Sequence, residues 1–261
     1  MDILVLAGMG AIAGVLAGLL GIGGGIIIVP VLALVFAGQG VSPDVIMQVA
    51  IGTSLGTIVT TSLSSIRAHQ KRGAINWRIF RQITPGIVVG AILGAIIADR
   101  LPGNTLRFAF ACFMIFVATQ MALSKQPPPH RQLPGTGGMN VAGSIIGTIS
   151  SLMGVGGGSM SVPFLTWCNV PVRNAIATSA AIGLPIAVSG ALSFIVTGWG
   201  TAKLPPWSLG YINLPAYLGI VVASTAFAPI GAALAHRIPP VILKRFFAAF
   251  LYILAIRLFL T

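Results

Sequence analysis

The sequence predicts an all-α, polytopic membrane protein made of two inverted repeats. Each repeat is expected to contain a glycine-broken helical hairpin or re-entrant pair and three spanning helices. Three observations predict this fold class: the apolar composition, the length of the apolar stretches, and a set of motifs that occurs twice. Of the 261 residues, 56% are hydrophobic and only 7% are charged, whereas a soluble domain carries roughly 25% charged residues. Most of the surface is therefore expected to face lipid.

Long apolar stretches, separated by charges or by Gly/Pro clusters, are the second observation. A helix needs about 20 apolar residues to cross a bilayer, and most stretches reach that length, so we expect about 8–10 membrane segments. The first stretch is expected to stay in the mature protein, because Asp2 stands where a signal peptide carries basic residues and no A-x-A-like site follows. The stretches are 3–37, 45–66, 79–98, 104–123, 139–168, 174–198, 209–235 and 241–260.

Charge and side-chain chemistry limit the expected partners. The formal net charge is +12, but the Lys and Arg residues lie mainly between apolar stretches or near their ends, as membrane anchors do. We therefore expect a lipid bilayer, and not a nucleic acid, as a partner. Cys112 and Cys168 have neither CxxC nor His spacing and are assigned no chemistry. The three histidines are scattered, so no metal site is expected, and no cofactor is expected either.

A set of motifs that occurs twice in the same order is the third observation. Such internal similarity predicts two copies of one structural unit. Neither copy alone is large enough to enclose a pathway, so both are expected to form one transmembrane domain. The matched blocks are 21–30 (GIGGGIIIVP) with 154–163 (GVGGGSMSVP), 50–54 (AIGTS) with 175–179 (AIATS), and 73–76 (GAIN) with 210–213 (GYIN).

The boundaries of the copies follow from these matches. A single domain is predicted over 1–261, with the first repeat at 1–123 and the second at 139–261. The segment 124–138 between them is rich in Pro and Gly, which is typical of a flexible linker. Its Lys and Arg place it on the cytoplasmic side.

Loop charges predict that the repeats are inverted. The loop between the second and third segments of the first repeat is strongly basic, whereas its counterpart contains only Lys203. Basic loops stay cytoplasmic, so the two loops are expected on opposite sides, with both termini outside the cytoplasm. Inversion requires an odd number of crossings per repeat. The glycine-containing segments 3–37 and 139–168 must then enter and leave on one side, as full hairpins or re-entrant loops. The basic residues are Arg67, Lys71, Arg72, Arg78 and Arg81.

Two clusters of three glycines lie at corresponding positions deep in apolar sequence. Glycine destabilises a helix interior by about 1 kcal/mol relative to alanine, so each cluster is expected to interrupt its helix. Short helices would begin near Ile26 and Ser159 and aim their N-termini, which attract anions, at a shared site. Paired breaks of this kind indicate a transporter site. Close helix packing is the alternative interpretation. The clusters are Gly23, Gly24 and Gly25, and Gly156, Gly157 and Gly158.

Packing is the expected role of two other glycine series. Gly10, Gly14 and Gly18, and likewise Gly86, Gly90 and Gly94, recur at every fourth position. Small residues at this spacing let two helix backbones approach closely in a membrane. These series are therefore predicted to be helix–helix seams.

Hydroxyl side chains are the remaining candidates for substrate binding. The pairs Thr53-Ser54 and Thr178-Ser179 correspond between the repeats, and their hydroxyls can donate to an oxyanion. The alternative is that they bond to carbonyls of their own helix. Ser159, next to the second glycine cluster, completes the set of candidates.

Two asparagines and one arginine are expected to have structural roles. Asn76 and Asn213 correspond but lie near loop ends, where helix capping is the expected role. Arg173 lies at the start of an apolar stretch and is expected to extend its charge to the membrane surface.

The chain has no Glu, and its three Asp lie near ends or loops. Cation transporters usually keep acids at membrane depth, so this distribution favours an anionic or neutral substrate.

At these residues the sequence resembles the TauE/SafE sulfite exporter family, also called the toluenesulfonate uptake permease family. The resemblance covers essentially the whole chain. It depends on the block from Gly18 to Gly25 with Pro30, its counterpart from Met153 to Gly158 with Pro163, and the two blocks that contain the Thr-Ser pairs. It implies a bacterial inner-membrane transporter for a sulfur-containing anion such as sulfite, sulfoacetate or another organosulfonate.

Three functions are compatible with these observations to different degrees. The leading hypothesis is a secondary carrier that moves a small anion by alternating access, driven by the anion's own gradient or by a coupling proton or ion. Export is the expected direction, from the resemblance. An anion channel of the same architecture is the runner-up. An intramembrane enzyme is disfavoured, because no nucleophile–base or HExxH spacing is present.

Overall fold

The computed structural model describes residues 25–123, 132–235 and 240–260. The predicted helix at 3–20, its glycine seam, and the site candidates Gly23 and Gly24 lie outside these ranges. The described elements are α1 (Gly25–Gly38), α2 (Ile46–Gln70), α3 (Trp77–Arg100), α4 (Gly103–Leu123), α5 (Thr136–Leu152), α6 (Gly158–Trp167), α7 (Val172–Thr197), β1 (Ser208–Leu209), β2 (Ile212–Asn213), α8 (Leu214–Ala235) and α9 (Pro240–Leu260).

Long apolar helices confirm the predicted all-α, polytopic membrane class. Within the described ranges, four helices are long and apolar enough to cross a membrane, namely α2, α3, α4 and α7. Large apolar side chains lie exposed along them, for example Phe116 at 58% and Leu192 at 59%. In a membrane protein such side chains face lipid, so their exposure does not place apolar surface in water.

Helices α3 and α5 pack through the predicted glycine seam. A Cβ atom at Gly86, Gly90 or Gly94 would overlap the carbonyl oxygen of Asn140, Ser144 or Thr148, respectively. From the other side, Gly143 and Gly147 of α5 lie directly against backbone atoms of α3. The two backbones therefore touch along their length, as small residues at every fourth position allow. The packing interpretation of this glycine series is confirmed.

Helices α2 and α7 form the centre of the molecule and run antiparallel. A Cβ at Gly190 would lie 3.0 Å from Leu55 Cδ1, and one at Gly183 would lie 3.1 Å from Ser62 Oγ. Residue numbers thus rise along α2 as they fall along α7. Helix α2 is the most enclosed of the four candidate spans. The helices α4 and α9 form a second packed pair.

A short β-hairpin precedes α8. Ser208 pairs with Asn213 and Leu209 with Ile212, and Gly210 makes the turn with a φ of +54°, which glycine adopts without strain. The hairpin brings the Tyr211 carbonyl oxygen to 2.7 Å from where a Cβ at Gly52 would lie. It therefore fixes the α7–α8 connection against the start of α2.

The second repeat begins its helical structure earlier than its predicted boundary. Helix α5 starts at Thr136, inside the interval 124–138 predicted as linker. Its preceding residue, Gly135, has an extended backbone and caps the helix without a side-chain bond. The Thr-Gly-Gly sequence read as flexible is therefore the first turn of a helix, stabilised by the contact between α5 and α3.

Candidate substrate site

The second glycine cluster interrupts its helix as predicted. Helix α5 ends at Leu152, residues 153–157 are not helical, and α6 begins at Gly158. We call residues 153–157 the break. Gly154 has a φ of +63°, a conformation that favours glycine. The Val155 N–H donates to the Ser150 carbonyl at 2.9 Å, which closes the end of α5.

The first described residue of the other cluster lies directly against the break. Helix α1 begins at Gly25, close to the predicted start at Ile26. A Cβ at Gly25 would lie 2.6 Å from the Gly154 carbonyl oxygen and 3.1 Å from the Val155 Cα. Only a glycine fits so close to another backbone. Gly25, of the first cluster, therefore meets Gly154 and Val155, which directly precede the second cluster.

The two central helices enclose the break from opposite sides. On the α2 side, the Ser54 hydroxyl donates a buried hydrogen bond of 2.8 Å to the Gly154 carbonyl. On the α7 side, a Cβ at Gly157 would lie 2.8 Å from the Ser179 carbonyl oxygen and 3.1 Å from the Gly183 nitrogen. The structure thus brings Gly25, Ser54, Ser179 and the second glycine cluster into one region. Gly156 and Gly157 are buried there, and Gly158 and Ser159 are half-buried.

Thr53 and Thr178 make the same contact in each half. The Asn213 backbone N–H donates to Thr53 Oγ1 at 3.0 Å, and the Asn76 backbone N–H donates to Thr178 Oγ1 at 3.0 Å. Each threonine therefore holds a loop that belongs to the opposite half of the chain. Because the hydroxyl oxygen accepts in these bonds, its own hydrogen stays available for donation.

The asparagine side chains cap helices, which confirms the predicted role. Asn76 Oδ1 accepts from the backbone N–H groups of Arg78 and Ile79, both at 3.2 Å. Asn213 Oδ1 accepts from the Ala216 N–H at 3.1 Å. Each side chain thus satisfies N–H groups in the first turn of the helix that follows it.

Several buried serine hydroxyls around the break have no hydrogen-bond partner in the described part of the chain. Ser150 and Ser151 close α5, Ser161 lies in the first turn of α6, and Ser179 lies across from Gly157 on α7; each is at most 1% exposed. The Ser161 N–H donates to the Gly157 carbonyl at 2.8 Å, which anchors that residue to the break. A buried polar group without a partner costs about 1–3 kcal/mol, and these hydroxyls are available to donate to a ligand.

Three of these serines were missed by the sequence reasoning. Ser150, Ser151 and Ser161 flank the second glycine cluster, four to seven positions from Gly157. The signal was a run of hydroxyl residues on both sides of a helix break. It was indistinguishable in sequence from serines that bond to their own helix.

The N-terminus of α6 provides backbone donors near the same place. Its cap residue, Gly157, offers no side chain to bond the first N–H groups. The N-terminal end of a helix carries a partial positive charge. Together with the serine hydroxyls, it gives the region hydrogen-bond donors that carry no full charge.

Charged side chains lie away from the break in the described structure. The Lys and Arg residues whose burial the structure describes are exposed, except for the half-buried Arg107. Arg173, in the first turn of α7, is among the exposed ones. No group of three or more His, Cys, Asp or Glu side chains that would hold a metal ion occurs within the described ranges.

Both acidic side chains of the described residues bond to the α7–α8 connection. Lys203 Nζ donates to Asp44 Oδ2 at 2.9 Å, and the Tyr211 hydroxyl donates to Asp99 Oδ1 at 2.8 Å. The hydrogen bond and the charge of Lys203 lower the pKa of Asp44. Burial is the main factor that raises the pKa of Tyr211.

Comparisons with known proteins agree with this architecture. A family model described as "Sulfite exporter TauE/SafE" matches residues 6–258. A probable membrane transporter protein of Haemophilus influenzae is 40% identical over 254 residues, which cover 97% of this chain and 96% of the relative. One from Methanocaldococcus jannaschii is 30% identical and covers 89% of this chain and 86% of its own length. One from Bacillus subtilis is 30% identical, covering 76% and 80%. No solved structure matches.

Proposed function

Because the chain belongs to the sulfite exporter TauE/SafE family, we propose that it is a secondary transporter for a small sulfur-containing anion. Membership of the family and the names of the relatives make it a membrane transporter. The proposed substrates are sulfite or an organosulfonate such as sulfoacetate. The proposed direction is export across a bacterial inner membrane, as the description of the family suggests.

The contact between Gly25 and the break carries this proposal. The first residue of α1, from the first half, meets the non-helical break of the second half, and the break lies against both α2 and α7. Irregular backbone at membrane depth is tolerated only where it is buried in protein or lines a cavity, and interrupted segments at corresponding positions of two repeats point to a transporter's binding site. The nearby hydroxyls and the α6 N-terminus are donors that suit an oxyanion. The proposed binding residues are Gly23, Gly24, Gly25, Thr53, Ser54, Gly156, Gly157, Gly158, Ser159, Thr178 and Ser179.

Alternating access is the proposed mechanism. The antiparallel arrangement of α2 and α7, and the bonds that each half makes to the other through Thr53 and Thr178, support two inverted repeats around a shared site. The repeats would rock about this centre and open it to one side at a time. Both termini would then lie outside the cytoplasm, and the linker inside.

Uptake into proteoliposomes tests the proposal with a matched pair of glycine variants. Gly157→Ala would place a Cβ 2.8 Å from the Ser179 carbonyl, closer than real side chains approach backbone. Gly137→Ala adds the same methyl group where nothing lies within 4 Å. We expect wild type and Gly137→Ala to transport sulfite or methanesulfonate with saturation and counterflow, and Gly157→Ala to lose at least about tenfold in rate, about 1.4 kcal/mol.

The outcomes separate the alternatives. Thermal unfolding of each purified variant shows whether it is folded, and Ser161→Ala provides a milder change at the same site if Gly157→Ala is not. Large currents without saturation or counterflow would indicate an anion channel. If folded wild-type protein moves neither anion under any imposed gradient, the sulfur-anion proposal is wrong.

A further inference from the structure

We propose that the site at the break binds the singly charged, protonated form of its anion, so that a proton crosses on the substrate and not on the protein. This inference depends on the proposed function and specifies the charge state of its substrate. For an anion with two ionisations, such as sulfite, the dianion would take up one proton on the entry side and release it on the exit side. A sulfonate carries one permanent negative charge and would carry no proton.

The donors at the site are neutral. Ser161 and Ser179 offer hydroxyls that have no partner among the described residues, and the first turn of α6 offers backbone N–H groups. Such groups stabilise an anion by dipoles and hydrogen bonds. They do not cancel its charge. The site is therefore suited to an anion whose charge is small.

Among the described residues, the elements that contact the break carry few charged or titratable groups. The sequences of α1, α5 and α6 contain none, and buried Cys168 follows the end of α6. Helix α2 carries Arg67 and His69 only in its last turn. On α3, Gly94 lies against Leu152 at the end of α5, and the charged residues Arg78, Arg81, Asp99 and Arg100 lie toward the two ends of that helix. On α8, the Tyr217 hydroxyl is bonded to Thr60. Tyr211 turns its hydroxyl to Asp99.

Arg173 is the nearest cation along α7. It precedes Ser179 by six residues, which is about 9 Å along a helix, and its side chain is exposed. One partly solvated guanidinium can balance at most one negative charge at the site. A dianion would keep an uncompensated charge in a water-poor environment.

The cost of removing an ion from water decides between the two charge states. The Born cost of transfer into a medium of low dielectric constant rises with the square of the charge. A dianion thus costs about four times as much to dehydrate as a monoanion of equal size. Neutral donors do not provide the paired cations that would offset this difference. Protonation of the anion before binding removes most of the cost.

Among the described residues, no carboxylate lies at the break to carry the proton. The chain has no Glu and three Asp, at positions 2, 44 and 99. Asp44 is exposed and bonded to Lys203, and Asp99 accepts from Tyr211. Both bonds lie at the α7–α8 connection and not at the break. The pH dependence of transport should therefore follow the ionisation of the substrate.

Transport of sulfite and of methanesulfonate by the same proteoliposomes tests the inference. Initial rates are measured at fixed total anion below saturation and over a pH series from about 6 to 9, with an internal pH dye. The rate in protein-free vesicles is subtracted. We expect sulfite flux to fall about tenfold per pH unit on the alkaline side, as the monoanion is depleted, and sulfite entry to acidify an alkaline lumen. Methanesulfonate flux should change less than about twofold and should not acidify the lumen.

Other results would overturn the inference. A sulfite rate that rises with the dianion, or the same pH profile for both anions, would mean that the dianion is bound or that a protein group titrates. Asp44→Asn and Asp99→Asn should keep the wild-type pH profile. A shift of the profile in either variant would also contradict the inference. Absence of both fluxes in folded protein would instead reject the proposed function.

Discussion

The two Thr-Ser pairs, one on α2 and one on α7, make different use of the same two residues. The threonines behave alike: Thr53 and Thr178 each accept a 3.0 Å bond from an asparagine N–H of the other half. The serines differ. Ser54 donates to the Gly154 carbonyl, whereas the buried Ser179 hydroxyl has no partner among the described residues.

This difference distinguishes the side chains that hold the two halves together from those that are candidates for substrate binding. A contact that occurs in both halves holds the α2–α3 and α7–α8 connections against the central helices, and each half requires it equally. A contact present in only one half leaves its counterpart able to bind something else. We therefore expect the threonines to matter mainly for stability and Ser179 mainly for transport.

Removal of the threonine hydroxyls should have the largest effect on stability. Thr53→Val or Thr178→Val takes the acceptor from a backbone N–H and leaves that donor unpaired, which costs about 1–3 kcal/mol each. Thermal unfolding of the purified protein in detergent measures the loss. The two variants should be affected to a similar extent.

Thr84→Val is the matched control for this prediction. Thr84 Oγ1 bonds only to the Phe80 carbonyl in its own helix, so its removal leaves no N–H group without a partner. If Thr53→Val destabilises the protein no more than Thr84→Val does, the bonds between the halves are not important for stability.

Substitution of the serines should separate stability from transport. Ser54→Ala loses one buried hydrogen bond and should lower stability by about 1 kcal/mol. Ser179→Ala removes a hydroxyl that has no described partner, so stability should be unchanged or slightly higher. Its KM for the transported anion should rise several-fold.

The two serine variants check each other. Unfolding and saturation kinetics are measured on both proteins under the same conditions. Equal losses of stability with equal KM values would show that Ser54 and Ser179 have the same role, and the distinction between the halves would then fail.

Local and periodic features of this site were predictable from sequence. The helix break, the glycine seam of α3 and the asparagine caps each depend on backbone geometry within a few residues. The repeat also marked Ser54 and Ser179 as equivalent. Such features carry a direct signal because residue type alone restricts the backbone.

Features that depend on which helices meet were not predictable. The serines at 150, 151 and 161 became candidates only when their burial and lack of partners were known. The contact of Gly25 with Gly154 joins residues far apart in sequence, and no local pattern specifies it. The same holds for the unequal bonding of Ser54 and Ser179, since correspondence in a repeat gives equal residue types but not equal neighbours.

The smallest expected effect concerns another contact without a described counterpart in the other half, the Asp44–Lys203 pair. Both side chains are more than 60% exposed, and exposed ion pairs contribute little to stability. Because Lys203 lowers the pKa of Asp44, the contribution is present above the ordinary aspartate pKa of 3.8. It is lost as the pH falls through the lower pKa of the folded state.

A double-mutant cycle of Asp44→Asn and Lys203→Met measures this small contribution. At low salt each single variant should unfold at a slightly lower temperature than wild type, and the double variant should unfold at about the same temperature as either single one. High salt should abolish the coupling, because it screens exposed charges. A coupling that persists in high salt would show that the pair is shielded from solvent.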